Sequence, residues 1–404
     1  MDPFTQQISE TLIDTTSPRI TRNFSLLLDL PIEIQIEIIE ILQGDWLGDW
    51  TSLPTLGQLP HPLKRLRLTC KQLEALCTPI FANFTFISSA LSRPKLELRN
   101  ELTSKFAKYL KMAVFYIDGR QGEKRLLMES VLTAILRGTV HLRRIHLCHR
   151  STDTGAHSQL LSAISKLSAL QEVKLRELKK LPYSPQYSTV QLTLQHRLLN
   201  TILDYHSQRL RLLVISSVTP MHESTFLKLR DTASQLRFLK LSQCLTTDTR
   251  DAFKDPRIWS CAGRLESLDI LRCAISPATI TRHVGAGLFG PLSTLSIAKC
   301  GDDSGDPQEP ATAIWTIPPL NQVHVHVFND REMDSLRGIH AKKVYIRSLW
   351  SNRPLYIEAF RKSTTFPEVA ELHVEKSWDD EDFEELKRSC AMRGLTKVER
   401  DLEE

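Results

Sequence analysis

Three stretches of this chain carry residue types that do chemistry, and each stands or falls by what its neighbours supply. Gly285-Ala286-Gly287-Leu288-Phe289-Gly290 has the GxGxxG spacing of a dinucleotide-binding turn. That chemistry needs a strand before the glycines and a helix after them, so that backbone N–H groups meet a pyrophosphate. Pro291 and an apolar strand pattern follow instead, which predicts a turn between repeated units. Gly301-Asp302-Asp303-Ser304-Gly305-Asp306-Pro307 offers a hydroxyl among carboxylates. A serine nucleophile needs a base oriented by a third group, and no matching His segment is evident. Three carboxylates there could hold Ca²⁺ loosely; a solvated loop is the simpler reading.

His141, His146, Cys148 and His149 crowd a third stretch, with His146 and Cys148 two apart on one strand face. Zinc needs about four converging ligands, and no second cluster stands at ligand spacing. The chain has 8 cysteines, none in a CxxC pair. Together with the lack of a secretory apolar core or an apolar run near membrane-spanning length, this predicts a reducing compartment, cytoplasmic or nuclear. No catalytic residue, metal or cofactor is expected.

The elements that must position any function come next. Over 404 residues the net charge is +5 and 41% of residues are hydrophobic. That is enough for a substantial core. So small an excess over so long a chain argues against nucleic acid as a partner, and nothing points to a membrane. Residues 1–23 are polar and read as a disordered tail. Residues 24–80 read as a small helical domain, and residues 81–404 as an array of repeats.

In the helical domain, Ile32, Ile34, Ile36 and Ile38 alternate with polar residues as a strand would, but Glu33, Glu37 and Glu40 make one solvated stripe only on a helix. Pro31 suits its first turn. A second helix follows from about Leu63 to Leu76, with Leu63, Leu66, Cys70, Leu73 and Cys77 at helical spacing and Pro79 closing it. Residues 43–62, with Gly, Pro, Trp46 and Trp50, read as an irregular loop between the two.

From Phe81 onward an apolar-x-x-apolar-x-apolar core recurs. It stands at Phe81/Phe84/Phe86, Leu110/Ala113/Phe115, Leu142/Ile145/Leu147, Leu170/Val173/Leu175, Leu210/Leu213/Ile215 and Leu236/Leu239/Leu241. It continues at Leu265/Leu268/Ile270, Leu292/Leu295/Ile297, Leu320/Val323/Val325, Ala341/Val344/Ile346 and Val369/Leu372/Val374, with a weak last copy at Leu395/Val398. Most copies start 26 to 32 residues apart. Such an interval predicts a strand and a return per copy, stacked on its neighbours. Helices are expected over 123–137, 158–167, 190–206, 223–233, 330–337, 354–362 and 379–393. The stretch Leu181-Pro182-Tyr183-Ser184-Pro185 and residues 301–310 read as surface excursions.

The Leu-Pro-x-Glu-Ile helix and the Leu-x-x-Leu-x-Leu-x-Cys-Lys helix of residues 26–81 resemble the F-box. The copies ending in Cys244, Cys273 and Cys300 resemble cysteine-containing leucine-rich repeats, and Ala274-Ile275-Ser276-Pro277 resembles that subtype's turn into a helix. The resemblance implies an α/β fold, a small helical F-box followed by a leucine-rich-repeat solenoid, a horseshoe with a parallel β-sheet on its concave face. It implies a non-catalytic substrate receptor of an SCF-type (Skp-cullin-F-box) ubiquitin ligase, supplying proximity alone. Leu30, Pro31, Ile34, Ile38, Leu66 and Leu73 would then bury against the Skp-type adaptor, and through it join a cullin.

The positions between the apolar ones face outward on such repeats. They are Arg144, His146, Lys174, Arg176, Phe238, Lys240, Asp269, Gln322, His324, His326, Lys343, Tyr345, Arg347 and His373. Basic and imidazole groups outnumber carboxylates there, which predicts an acidic or phosphorylated client. Two alternatives stay open. One is a non-ligase scaffold whose N-terminal helices cap the solenoid; the other is an enzyme using the glycines of 285–290.

Overall fold

A computed structural model describes residues 28–47, 71–81, 84–88, 107–118, 122–150, 157–177, 194–217, 223–244, 264–300, 315–326, 333–347, 353–361 and 365–402, together with 101 and 105 and apart from positions 234, 274, 291, 299, 334, 335 and 337. The expected tail, the first part of the second helix including Leu66, and the excursions at 181–185 and 301–310 lie outside these residues. The chain divides into two compact units, 1–84 and 85–404. Among the described residues, no helix is long and apolar enough to cross a membrane.

In the first unit, α1 (Ile32–Leu47) packs on α2 (Lys71–Phe81). The isoleucine run is helical, as Glu33 and Glu37 require; both are exposed while Ile39 is sealed. Three boundaries differ from the sequence reading. Pro31 precedes the helix and its carbonyl accepts from the N–H groups of Ile34 (3.0 Å) and Gln35 (3.1 Å), the role of an N-cap backbone. The helix runs on through Gly44 and Asp45 to Leu47, so the irregular segment cannot begin at 43. Pro79 does not close α2, which ends two residues later at Phe81. In the last turn of a helix a proline withholds one N–H while its fixed φ stays helical.

The second unit contains an open sheet. Twelve strands lie side by side in chain order: β1 (Phe84–Ser88), β2 (Met112–Asp118), β3 (Arg144–Arg150), β4 (Glu172–Glu177), β5 (Leu212–Ser216), β6 (Phe238–Ser242), β7 (Ser267–Leu271), β8 (Thr294–Ala298), β9 (Leu320–His326), β10 (Ala341–Ile346), β11 (Glu371–Glu375) and β12 (Lys397–Leu402). From β2 to β12 every neighbouring pair is parallel. The middle and last apolar residues of each copy fall on one strand, while the first stands just ahead of it in most copies and Phe81 belongs to α2. The middle and last apolar residues of each copy stand in register, as in Leu213↔Leu239 and Ile215↔Ile270 through Leu241.

Seven returns between strands carry a helix among the described residues: α3 (Gly122–Gly138), α4 (Ser158–Ser165), α5 (Leu194–His206), α6 (Glu223–Ala233), α7 (Pro277–Gly285), α8 (Arg353–Arg361) and α9 (Asp380–Ala391). Helices α3 to α6 pack in succession, α8 packs on α9, and α3 and α5 also touch β2 and β4. The helix expected over 330–337 lies mostly outside the described residues. Helix α7 was announced only by its first turn, where the Ser276 hydroxyl accepts from the Thr279 N–H at 3.2 Å and Pro277 opens the helix.

The glycines of 285–290 follow α7 and precede β8, the reverse of a dinucleotide site. Their use is packing. A Cβ on Gly285 would meet the Trp315 ring at 3.0 Å, and one on Gly287, whose φ is +72°, would meet Ile317 Cγ2 at 2.9 Å.

The strand ends explain the cysteines. Ser217, Gln243 and Arg272 take the left-handed conformation just after β5, β6 and β7, turning the chain inward. Cys273 Sγ then donates to the Leu241 carbonyl of the preceding strand at 3.5 Å, and Cys300 Sγ to that of Ile270 at 3.4 Å. Cys244, Cys273 and Cys300 are all buried, so a thiol serves where a larger polar side chain would not fit.

Candidate functional site

Two surfaces carry the residues singled out by sequence, one on each unit. On the first unit, Gln35 is the organising residue. It is a buried amide in a run of isoleucines, and its Nε2 donates to the carbonyls of Leu30 (2.7 Å) and Leu28 (3.2 Å). Its Oε1 accepts from Gln72 of α2 at 3.4 Å. These bonds tie the approach to α1 onto the body of the helix pair. Leu30 is left 38% exposed, Ile32 51% and Ile34 41%; Pro31 is exposed and Ile38 half-buried. Large aliphatic side chains standing in water on so small a unit are unfavourable unless something covers them.

Leu73 is the exception among the named residues. It is 0% exposed, as are Ile39 and Cys77, so it is core of its own unit and has no surface to offer an adaptor. Ile32 belongs with the exposed group and was missed, because strict alternation gave no sign of which isoleucines α2 would cover.

On the second unit the strands alternate buried and half-buried positions, as in the pattern of β5, β7 and β8. An all-parallel sheet normally has both faces covered and reads as continuous apolar strands. Alternation here means that one face packs on the core and the other is open. Registry brings the named residues of this open face together in three rows. The middle row runs His146, Lys174, Val214, Lys240, Asp269, Ser296, His324, Tyr345, His373 and Glu399. Arg144, Phe238, Gln322 and Lys343 lie in the row before it. Arg176 and His326 lie in the row after it, with Arg347 beside them at the end of β10.

The electrostatics of this face differ from the sequence reading. Arg144 Nε lies 3.0 Å from Glu172 Oε1, Lys240 pairs with Asp269, and Lys343 Nζ lies 2.9 Å from Glu371 Oε2, which Lys397 also reaches at 2.9 Å. Burial pulls the His146 pKa down to about 4, with Lys174 and Arg176 pushing the same way. Burial, then Arg347, also lower that of His324. These imidazoles are neutral at physiological pH, so they add rings and hydrogen-bonding nitrogens rather than charge. Glu172, Glu371 and Glu399 were missed as partners because cross-strand pairing is not written in a one-dimensional pattern.

Glu371 is the most strongly held carboxylate here. Hydrogen bonds from Lys343 and then Lys397 bring its pKa down to about 2. Beside it His373 lies 3.5 Å from both Glu371 and Glu399. The rings of His324, Tyr345 and His373 stack across three neighbouring strands, with centroids 4.5 and 4.7 Å apart. His146 and Cys148 meet at 3.2 Å, with burial raising the thiol pKa to about 11. A thiol so protonated is neither a ready nucleophile nor a metal ligand. Among the described residues no three His, Cys, Asp or Glu gather as a metal site.

The sequence matches no protein-family model, and it matches no curated protein.

Proposed function

We propose that this protein is the substrate-recognition subunit of an SCF-type ubiquitin ligase, an F-box on the first unit docking a Skp-type adaptor and leucine-rich repeats on the second binding a client. One observation carries the reading: Leu30, Ile32 and Ile34 stand exposed on a helix pair in which Ile39, Leu73 and Cys77 are sealed. Covering such side chains against a partner yields roughly 1.5 to 3 kcal/mol each if burial is complete. The open sheet face supports the second half of the reading, because a covered core with an uncovered row of polar and aromatic side chains is what a receptor for an extended chain requires. The work is then done by position, with no bond made or broken by this chain.

The test is capture of the intact chain from cells with partners read by mass spectrometry. Recovery of a Skp-type adaptor and a cullin is the expected result. Their absence, with other proteins still captured through the sheet unit, would make the protein a non-ligase scaffold.

A further inference from the structure

The edge of the sheet where the strands begin holds a second polar feature, separate from the open face. A cleft of about 200 Å³ is lined by Gln171, Gln208, Arg209, Arg211, Gln235, Arg237 and Arg264. These residues flank the opening leucines of successive copies: Leu170, Leu210, Leu236 and Leu265. Backbone bonds fix their spacing, since Arg211 N–H donates to Gln171 O and Arg237 N–H to Arg211 O, each at 2.8 Å. Four arginines, all of them exposed, and three glutamines therefore line it, with no carboxylate among the lining residues. Beside the cleft, Glu266 Oε1 lies 3.6 Å from Arg237 Nε. Both of those side chains are more than half exposed, and such a pair is weak in water. Arg209 is steered by the carbonyl of Ser168, and Arg264 Nη1 donates to Gln235 Oε1 at 3.5 Å.

We infer that this cleft is a phosphate-binding site that takes a phosphorylated serine or threonine side chain of a protein partner. The inference rests on the sheet unit being a protein-binding module and is independent of the adaptor. Four like charges held within one small cleft repel one another, and a ligand that relieves this should carry more than one negative charge. A phosphomonoester carries about −1.5 to −2 at neutral pH with three strong acceptor oxygens, and planar guanidinium forks match those oxygens in pairs. The glutamine amides add neutral donors. The cleft is smaller than the roughly 300–1,000 Å³ of sites for whole drug-sized molecules, which suits a charged group borne on a side chain.

The surroundings favour protein over nucleic acid as the carrier. Exposed Arg143 and Lys111 continue the edge on one side, but on the other it turns to Glu266, Ser293 and Asn321. The basic strip therefore runs only from β2 to Arg264 ahead of β7, roughly 24 Å at the usual strand spacing. No aromatic side chain lines the cleft to stack a base.

The experiment measures anisotropy of a fluorescent peptide pool with a central phosphoserine and randomised flanks, bound to the full-length protein. Arg211→Gln with Arg237→Gln should lower affinity roughly tenfold or more over the parent, while Arg361→Gln with Lys387→Gln, whose side chains are 46% and 41% exposed on α8 and α9, should leave it unchanged. Inorganic phosphate should compete, and the same pool with unmodified serine should bind no better to the parent than to the cleft variant. Equal binding of the two pools to the parent overturns the inference, as does full affinity in the cleft variant. Tighter, arginine-dependent binding of a single-stranded oligonucleotide would assign the cleft to nucleic acid instead. Unfolding midpoints of the variants check that each is folded; if the glutamine pair is not, Arg211→Lys with Arg237→Lys, which keeps charge but loses the forks, replaces it with the same expected loss. Adaptor capture by the same variants is read separately: its failure in the parent would sink the ligase reading and leave this one standing.

Discussion

The ring of His324 lies on that of Tyr345, centroids 4.5 Å apart and planes within 8° of parallel, because β9 and β10 place them at the same level. His373 extends the stack from the next strand. Stacked pairs contribute about 0.5 to 1.5 kcal/mol each beyond their buried area. Tyr345→Ala removes both contacts and should lower stability by about 1 to 3 kcal/mol. Tyr345→Phe keeps both and should change it little. Urea unfolding of the two variants is the measurement.

The two leucines of the first unit make opposite predictions. Leu73 is sealed and Leu30 is not, so Leu73→Ala should cost about 2 to 5 kcal/mol while Leu30→Ala should cost less than about 0.5 kcal/mol. Pro31→Ala with Ile34→Asp should likewise leave the melting temperature near that of the parent, yet end capture of the Skp-type adaptor. Loss of fold in that pair would favour a capping role for these helices.

Sequence revealed the sheet well and its charge poorly. Leucine, isoleucine and valine at fixed spacing mark each strand because one side of every strand must be buried, and the thiols marked the inward bends. Helix α7 was half hidden, since Thr279, Thr281 and His283 do not announce a helix although Ser276 and Pro277 start one. The end of α1 was hidden by Gly44 and Asp45, which read as a breaker. Whether Lys343 or Lys240 offers charge depends on Glu371 and Asp269, which lie 28 and 29 residues further along the chain. No window along the chain contains that pairing.

Acid should weaken the protein in two separate ranges. His146 is held near 4, below its ordinary 6.5, by burial first and by Lys174 and Arg176 next. Between those values the unfolded chain takes up the proton before the folded one does, so its stabilising share is complete above 6.5 and fades as pH falls toward 4. The full effect is about 3 kcal/mol. Glu371 acts lower: its share is present above the ordinary 4.5 and is lost as pH drops through about 2. Unfolding midpoints followed downward from neutral pH should fall, and His146→Leu should flatten the upper range only.

Thiol chemistry should report unfolding. Burial raises the Cys390 pKa to about 12 and that of Cys148 to about 11, and it lifts Cys300 further. At mildly alkaline pH these sulfurs should react with a disulfide reagent only as fast as the chain opens. Added denaturant should accelerate the reaction in step with loss of structure; rapid labelling of Cys148 in the native protein would contradict its burial.

Arg353 is wholly buried where α8 meets α9. Its Nη1 lies 2.7 Å from Asp379 Oδ2 and 3.4 Å from Asp382 Oδ2, and its guanidinium sits 5.5 Å from the Trp378 ring. Asp379 also caps α9 by accepting from the Asp382 N–H at 2.8 Å, the first cause of its lowered pKa. Arg353→Met should cost about 3 kcal/mol, because it strands two carboxylates. Arg353→Lys should rescue little, since an ammonium lacks the second nitrogen that donates to the Ser377 carbonyl while the first holds the acids. Thermal unfolding of the two variants compares them.

The strict chain order of the strands bears on how the molecule is made. From β2 to β12 each strand finds its hydrogen-bonding neighbours in the segments synthesised just before and just after it. No strand must wait for a distant stretch of polypeptide, so assembly can keep pace with the ribosome, each new coil docking on the one already settled.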